Sequence, residues 1–483
     1  MTSPVSETQS FTLQFMGAAG VVTGSKHLLR TPEITVLIDC GLFQGLKNLR
    51  QLNRQTLPVE AASIQVVIIT HAHLDHTGYL PVLVRNGFKG KIYLTGPTSA
   101  LTEIILLDSA KLQEEDADHA IHAGYSKHSP ALPLYTQEDA RETFKHLQIC
   151  AHNEWIELSK HIRFRFKKNG HILGSCFVEM DCFEKRIVFS GDLGKQESYS
   201  LAPPLIPEKA DILVIESTYG DRLHPATSSE KELSDIIHDV IHKKGTLLIP
   251  SFAVGRAQDL MLLINLMKKK NFIPDIPVYL DSPMGKNATE VYRDFPDWHK
   301  LPPEQCADMW NNIIWVSDLK ETYKVIDKPG PKIVIAASGM LTGGRVLHYL
   351  KNYLGQHQNT ILLTGYQAAG TRGRALRSKV HEIKIFGSYY PVKAEVKEMA
   401  TLSAHADQRE LINWMKAIPN KPERIFIVHG EPSASYALEL KIHDELGWNA
   451  VTPIMNETFE LAGKQNIRGA DATAPALPEN VTK

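Results

Sequence analysis

Val66-Val-Ile-Ile-Thr70-His71-Ala-His73-Leu-Asp75-His76 is the stretch from which the rest of the chain is read. The apolar run Val66–Ile69 predicts a strand covered on both faces. Three imidazoles and a carboxylate follow at its end, and packing does not account for such a cluster. Donors at i and i+2, then at i+4 and i+5, let one pair face one cation and the next pair a second, a dinuclear layout. Zinc takes imidazole nitrogen and carboxylate oxygen readily, and hydrolytic sites keep a position open for water.

Four more residues share that context. Asp39 ends the strand 36–38 in an Asp-Cys-Gly turn, and His171 lies in Gly170-His-Ile-Leu-Gly-Ser175. Asp192 follows 187–189 in Ser190-Gly-Asp192, and His429 follows 425–428 in His429-Gly-Glu431. Each sits at a strand end beside a small residue or turn, and together with the first cluster they bring two cations close to full coordination.

Around these residues the chain alternates β-rich and helical runs, an α/β pattern. Strands are expected at 11–15, 34–38, 66–69, 212–215, 246–249, 332–335, 360–363 and 424–428, and helices at 98–118, 229–243, 257–269, 345–351, 407–415 and 433–445. At 483 residues the chain exceeds the roughly 250–300 at which single cores stop growing. Lys and Arg (53) nearly balance Asp and Glu (54), so the molecule is no polycation, and an anionic substrate must be held by a local cluster. The N-terminal residues show no secretory signal and no apolar run is long enough to span a bilayer. Five scattered cysteines without CxxC spacing fit thiols in a reducing cytoplasm.

The HxHxDH motif, the later His171, Asp192 and the final His429 resemble the metallo-β-lactamase superfamily in order. That resemblance implies an αββα four-layer sandwich with two Zn2+ between the sheets. His71, His73 and His171 would hold one zinc, Asp75, His76 and His429 the other, Asp192 would bridge them, and Asp39 would orient ligands. The long separation of Asp192 from His429 calls for an inserted domain. Its flanks, Glu216-Ser-Thr-Tyr-Gly220 and Leu402-Ser-Ala-His405-Ala-Asp407, resemble the beta-CASP nucleases, matching their acidic residue and histidine with Glu216 and His405. The final histidine, His429, is similar to the RNA-processing members. The likeness spans about 11–460 and also rests on Phe252-Ala-Val-Gly-Arg256, Ser338-Gly-Met340 and Gly365-Tyr-Gln367. The organisation expected is a sandwich of 1–217 and 399–463, an inserted α/β domain at 218–398, and a disordered tail at 464–483.

For substrate grip, Ser338-Gly339-Met-Leu-Thr-Gly343-Gly344-Arg345 reads as a phosphate cradle entering a helix, or as a bare tight turn. Arg372 and Arg374, expected in a flexible glycine-rich loop, suit phosphate oxygens or form a solvated basic loop. Arg256 contacts a phosphate or pairs with an acid. In Arg163-Phe-Arg-Phe-Lys-Lys168 the phenylalanines are expected in the core with solvated cations opposite. The expected activity is hydrolysis of single-stranded RNA, with a metal-bridging hydroxide attacking phosphorus in line and His405, oriented by Glu216, protonating the leaving oxygen. A DNA nuclease, a thioesterase- or lactonase-type hydrolase and a non-catalytic RNA-binding scaffold are the alternatives. Endonuclease or 5′-exonuclease mode, and a homodimer, stay open.

Overall fold

The computed structural model describes residues 10–122 and 132–461; the tail expected to be disordered lies outside them. Seven strands form one sheet in the order Thr458–Glu460, Thr12–Gly17, Lys26–Arg30, Thr35–Ile38, Val66–Ile68, Lys91–Thr95 and Leu147–Cys150. Six form a second, in the order Arg424–Val428, Ile212–Glu216, Lys185–Phe189, Cys176–Cys182, Ile162–Lys168 and Ile156–Glu157. The two pack face to face: Phe15, Val36 and Ile68 of the first meet Phe164, Val178 and Val214 of the second.

Alternation along each strand explains why the sequence runs are unbroken. Val66 and Ile68 point between the sheets, while Val67 and Ile69 point to helices on the other side, where Leu80, Leu83 and Leu106 cover them. On the second sheet Ile212 and Val214 point inward, and Leu213 and Ile215 meet Leu411, Trp414 and Leu438 of the helices Gln408–Lys416 and Pro432–Leu446. The result is four layers, helix, sheet, sheet, helix. The helix Gln408–Lys416 starts at a capping box between Asp407 and Glu410.

Between Glu216 and the helix Gln408–Lys416 the chain builds a third sheet, fully parallel, of six strands ordered Ile314–Trp315, Val278–Asp281, Lys332–Ala336, Thr246–Pro250, Thr360–Leu363 and Glu395–Glu398. Apolar clusters cover both of its faces. A further cluster, with Leu101, Ile172, Val254, Leu262 and Val291, joins this unit to the sandwich beside the loops that carry His71 and His171. No helix among the described residues is long and apolar enough to cross a membrane. All five cysteines are free thiols.

The strand Ile162–Lys168 corrects one expectation. Phe164 and Phe166 are in the core, but the opposite cations are not solvated: Arg165 is 6 % exposed and Lys167 8 %. Arg165 pairs with the fully buried Glu179 at 2.6 Å and with Glu208 at 2.5 Å, and Lys167 reaches Glu208 at 3.1 Å. Arg163, Arg165 and Arg186 all lie over the Trp155 ring, at 4.4, 4.4 and 4.8 Å. Cation–π contact and carboxylates from the neighbouring strand replace water on that face. Glu179→Ala leaves Arg165 buried without this partner and is expected to lower unfolding free energy by about 3 kcal/mol, whereas the half-exposed Arg163→Ala loses under about 1 kcal/mol. Urea melts of the two variants measure the difference.

Candidate metal centre

Every ligating side chain leaves a strand end, and the turns that carry them lock together. Asp39 and His429 occupy the left-handed region, with φ of 59° and 52°. The backbone N–H of His429 donates to the Ala18 carbonyl at 2.7 Å, and that of Asp39 to Ile68 at 2.9 Å, so neighbouring chain holds both conformations. Gly41 lets the 39–42 turn lie directly on the histidine-rich turn; a Cβ there falls 1.6 Å from the Asp75 carbonyl oxygen. Cys40 and Leu42 donate backbone N–H groups to the carbonyls of His76 and Leu74 at 2.7 and 2.8 Å.

Two sets of donor atoms result. In the first, His73 Nδ1 is 3.1 Å from His71 Nε2 and 3.2 Å from His171 Nε2, and Asp192 Oδ2 is 3.4 and 3.5 Å from the same two nitrogens. In the second, His429 Nε2 is 3.1 Å from His76 Nε2 and 3.5 Å from Asp75 Oδ2, while Asp192 Oδ1 is 3.3 Å from His76 and 3.5 Å from His429. A tetrahedral zinc with bonds of about 2.0–2.1 Å has ligand–ligand edges of about 3.3–3.4 Å, so the spacings fit one cation in each set. Asp192 gives one oxygen to each, and its Oδ1 has no hydrogen-bond donor among the described residues.

The supporting shell sets ring orientation. Asp39 Oδ2 is 2.7 Å from His76 Nδ1, leaving Nε2 for the site. Asp39 also accepts from the backbone and hydroxyl of Thr70, whose Oγ1 lies 3.1 Å from His71 Nδ1. Thr218 Oγ1 is 3.0 Å from His429 Nδ1. Burial pushes the imidazoles of His71, His73 and His171 down, to about 3 for His73, which keeps their lone pairs free for a cation. At His76 burial acts in the same direction but the Asp192 and Asp39 carboxylates outweigh it and raise the pKa.

Beside the first set, His405 Nδ1 lies 3.2 and 3.3 Å from the two oxygens of Glu216, a fully buried carboxylate that also accepts the N–H groups of Leu193 and Thr218. Burial opposes protonation of His405, but the Glu216 charge and hydrogen bond prevail and raise its pKa. Its Nε2 is left for a cavity of about 160 Å3 between the sandwich and the inserted unit, bounded by His73, His171 and His405 on one side and Phe252, Arg256 and Tyr366 on the other. The Arg256 guanidinium is buried and its Nε has no partner among the described residues.

The remaining expected phosphate ligands are not gathered there. Ser338 Oγ accepts the N–H groups of Thr342 and Gly343 at 3.1 and 3.4 Å, so the turn consumes its own donors instead of forming a cradle. Gly339 packs on Phe252 and Gly344 takes φ 77° to close the turn. Arg345 is held by Asp281 at 2.7 Å and by the Ser317 carbonyl at 2.7 Å. Residues 372–377 are a helix capped by Thr371, not a flexible loop. Within it Arg372 donates to the carbonyls of Lys384, Leu341 and Thr342, and Arg374 to Gln367, with Glu431 at 3.6 Å.

Thr70 and Thr218 carry no sequence signal beyond adjacency to His71 and Glu216. Phe252, 6.2 Å from the His73 ring, and Tyr366, whose hydroxyl donates to Glu431 at 2.7 Å, stand inside recognised motifs but only the fold shows that they face the metal ligands.

Three family models match the chain: "Metallo-beta-lactamase superfamily" over 19–239, "Beta-Casp domain" over 257–376, and "Zn-dependent metallo-hydrolase RNA specificity domain" over 389–453. "Ribonuclease TTHA0252" of Thermus thermophilus is 35 % identical over 87 % of this chain and 94 % of its own length. "RNase J-like protein" of Methanocaldococcus jannaschii is 32 % identical over 92 % and 98 %. "Transcription termination factor FttA" of Pyrococcus abyssi is 33 % identical over 92 % and 70 %. A solved structure of a protein of unknown function from Enterococcus faecalis shares the fold, with a TM-score of 0.53, 12 % identity, and coverage of 94 % of this chain and all of its own.

Loss of the carboxylate that orients His76 is expected to weaken metal binding. Asp39→Asn should lower affinity about 10–100-fold, read by competition with a chromogenic zinc chelator.

Proposed function

The chain belongs to the beta-CASP family of metallo-β-lactamase-fold hydrolases, and from that membership and the geometry of the cleft we propose that it is a zinc-dependent ribonuclease hydrolysing phosphodiester bonds of single-stranded RNA. The observation that carries the reading is the coincidence, at one cavity, of two sets of metal-donor atoms, each approached by an oxygen of Asp192, with a His405–Glu216 pair. Relatives named as ribonucleases over nearly the full length support the substrate class.

His71, His73 and His171 would hold one zinc, Asp75, His76 and His429 a second, and Asp192 would contribute to both. Bound zinc supplies Lewis acidity toward phosphoryl oxygens and an activated water nucleophile. The protein's part is to present this charge without reorganisation, which the Thr70, Asp39 and Thr218 contacts accomplish. His405 donates the proton of Nε2 to the leaving 3′ oxygen, giving 5′-phosphate and 3′-hydroxyl products, and Glu216 holds the ring by Nδ1. Arg256 offers its unpaired Nε to a non-bridging oxygen. The described residues of 1–217 and 399–463 act as the sandwich and 218–398 as the insertion that covers the cavity. The free thiols fit a reducing, cytoplasmic setting.

A product ladder from 5′-labelled single-stranded RNA and matching DNA tests this reading. Cleavage of RNA alone, abolished in Asp75→Ala together with a drop from two zinc ions to one, is the expected result; two bound zincs with neither polymer cut overturns it. His405→Ala should keep both metals while kcat falls about 10²–10⁴-fold. Loss of zinc from that variant removes His405 from the proton-transfer role.

A further inference from the structure

His405 forms a single antiparallel bridge with Gly194, in the segment that follows Asp192, and the next residue, Ala406, donates its N–H to the Leu193 carbonyl at 2.8 Å. Neither the N–H nor the carbonyl of His405 itself has a backbone partner among the described residues. Side chains take them up instead. The His405 N–H donates to Ser403 Oγ at 3.2 Å, and the His405 carbonyl lies 2.9 Å from Nε2 of His224. A carbonyl only accepts, so His224 carries a proton on Nε2.

Residues 217–224, which lead into the inserted unit, wrap the His405 segment along its length. The backbone N–H of His224 donates to Asp407 Oδ2 at 2.8 Å. Gln408 donates its backbone N–H to the Arg222 carbonyl at 3.0 Å and its side-chain amide to the Gly220 carbonyl at 2.6 Å. The buried Tyr219 ring lies against both imidazoles, its centroid 5.4 Å from that of His224 and 6.0 Å from that of His405.

The position of His405 Nε2 follows from two anchors, the hydrogen bond at Nδ1 and the backbone from which the ring hangs. Glu216 supplies the first. His224 grips the second, on the carbonyl of the same residue. It does so from outside the cavity: His224 lines a separate groove of about 690 Å3, with Lys195, Asp407 and Arg409, that shares no lining residue with the catalytic one. Any effect of His224 on the reaction therefore passes through His405.

We propose that His224 is a positioning residue for proton transfer, its Nε2–H holding the residue 405 peptide so that the His405 ring presents Nε2 to the leaving oxygen. The assignment rests on the reading of His405 as the proton donor and goes beyond it in identifying what fixes that donor. Proton transfer requires the donor within about 2.6–3.2 Å of the oxygen it protonates. A displacement of about 1 Å costs on the order of 10²-fold in rate.

The test compares two substrates that differ in the leaving group. RNA leaves through a 3′ oxygen that needs a proton, whereas bis(p-nitrophenyl) phosphate releases a phenolate that does not. His224→Phe keeps a ring beside Tyr219 and the backbone N–H to Asp407 but removes the side-chain donor, and His224→Gln restores an amide N–H. Expected for His224→Phe are wild-type zinc content, a kcat on single-stranded RNA lowered about tenfold or more with KM within about twofold, and cleavage of the aryl ester within about twofold of wild type. His224→Gln should recover most of the RNA rate. Adding His224→Phe to His405→Ala should cost nothing further, because the group being positioned is gone. Equal losses on both substrates, loss of zinc, or full additivity in the double variant overturns the positioning role. If His405→Ala spares the aryl ester and His224→Phe does not, the positioning role alone falls. If His405→Ala slows both substrates equally, the proton-donor reading falls and this one with it.

Discussion

Asp192 places one carboxylate oxygen against each of two donor sets, and the architecture around it exists to hold that arrangement. Its neighbours are imidazoles and a carboxylate packed 3.1 to 3.5 Å apart, of which His71, His76, His171 and His429 are buried while His73 and Asp75 are partly exposed at the cavity. Polar groups buried in this way are costly unless compensated, and a pair of divalent cations is the compensation that the donor chemistry fits. The two sheets supply the ligands from opposite sides: His71, His73, Asp75 and His76 follow a strand of the first, and Asp192 and His429 follow strands of the second. The centre therefore depends on the sheets packing in one register, and the shared apolar layer of Phe15, Ile68, Val178 and Val214 sets it.

The inserted unit closes the other side. Its parallel sheet is covered on both faces, so it stands as a core of its own, and it meets the sandwich through Val254, Leu262 and Val291 against Leu101 and Ile172. That contact brings Phe252, Arg256 and Tyr366 opposite His73, His171 and His405. The resulting cavity contains the buried Arg256 charge, for which burial makes a phosphate contact worth more than at the surface.

Charge elsewhere is largely spent within the fold. Arg345 is committed to Asp281, Arg377 to Glu398 and Arg165 to Glu179.

The donor residues that the fold gathers were legible in the sequence because metal coordination demands particular side chains at short, fixed spacings, as in His71-Ala-His73-Leu-Asp75-His76, and because strand ends announce themselves by apolar runs. Asp39, Glu216 and His405 were legible for the same reason, as polar residues in turns that follow such runs or flank an insertion. Which arginines are left without a partner in the fold was not. Arginine on a glycine-rich stretch looks the same whether it faces solvent, a carbonyl or a carboxylate, and only tertiary packing turned Arg345 to Asp281 and Arg372 to the carbonyls of Leu341 and Lys384. The same holds for Arg165, whose partner Glu179 lies on the adjacent strand, and for Arg50 and Arg54, whose place beside Lys384 depends on the docking of two units distant in sequence. The sequence by itself determined the donor atoms and the alternation that buries each sheet. Only the tertiary structure decided which of the remaining charges are paired and which are left to meet a substrate, because pairing depends on distances between segments that no local pattern encodes.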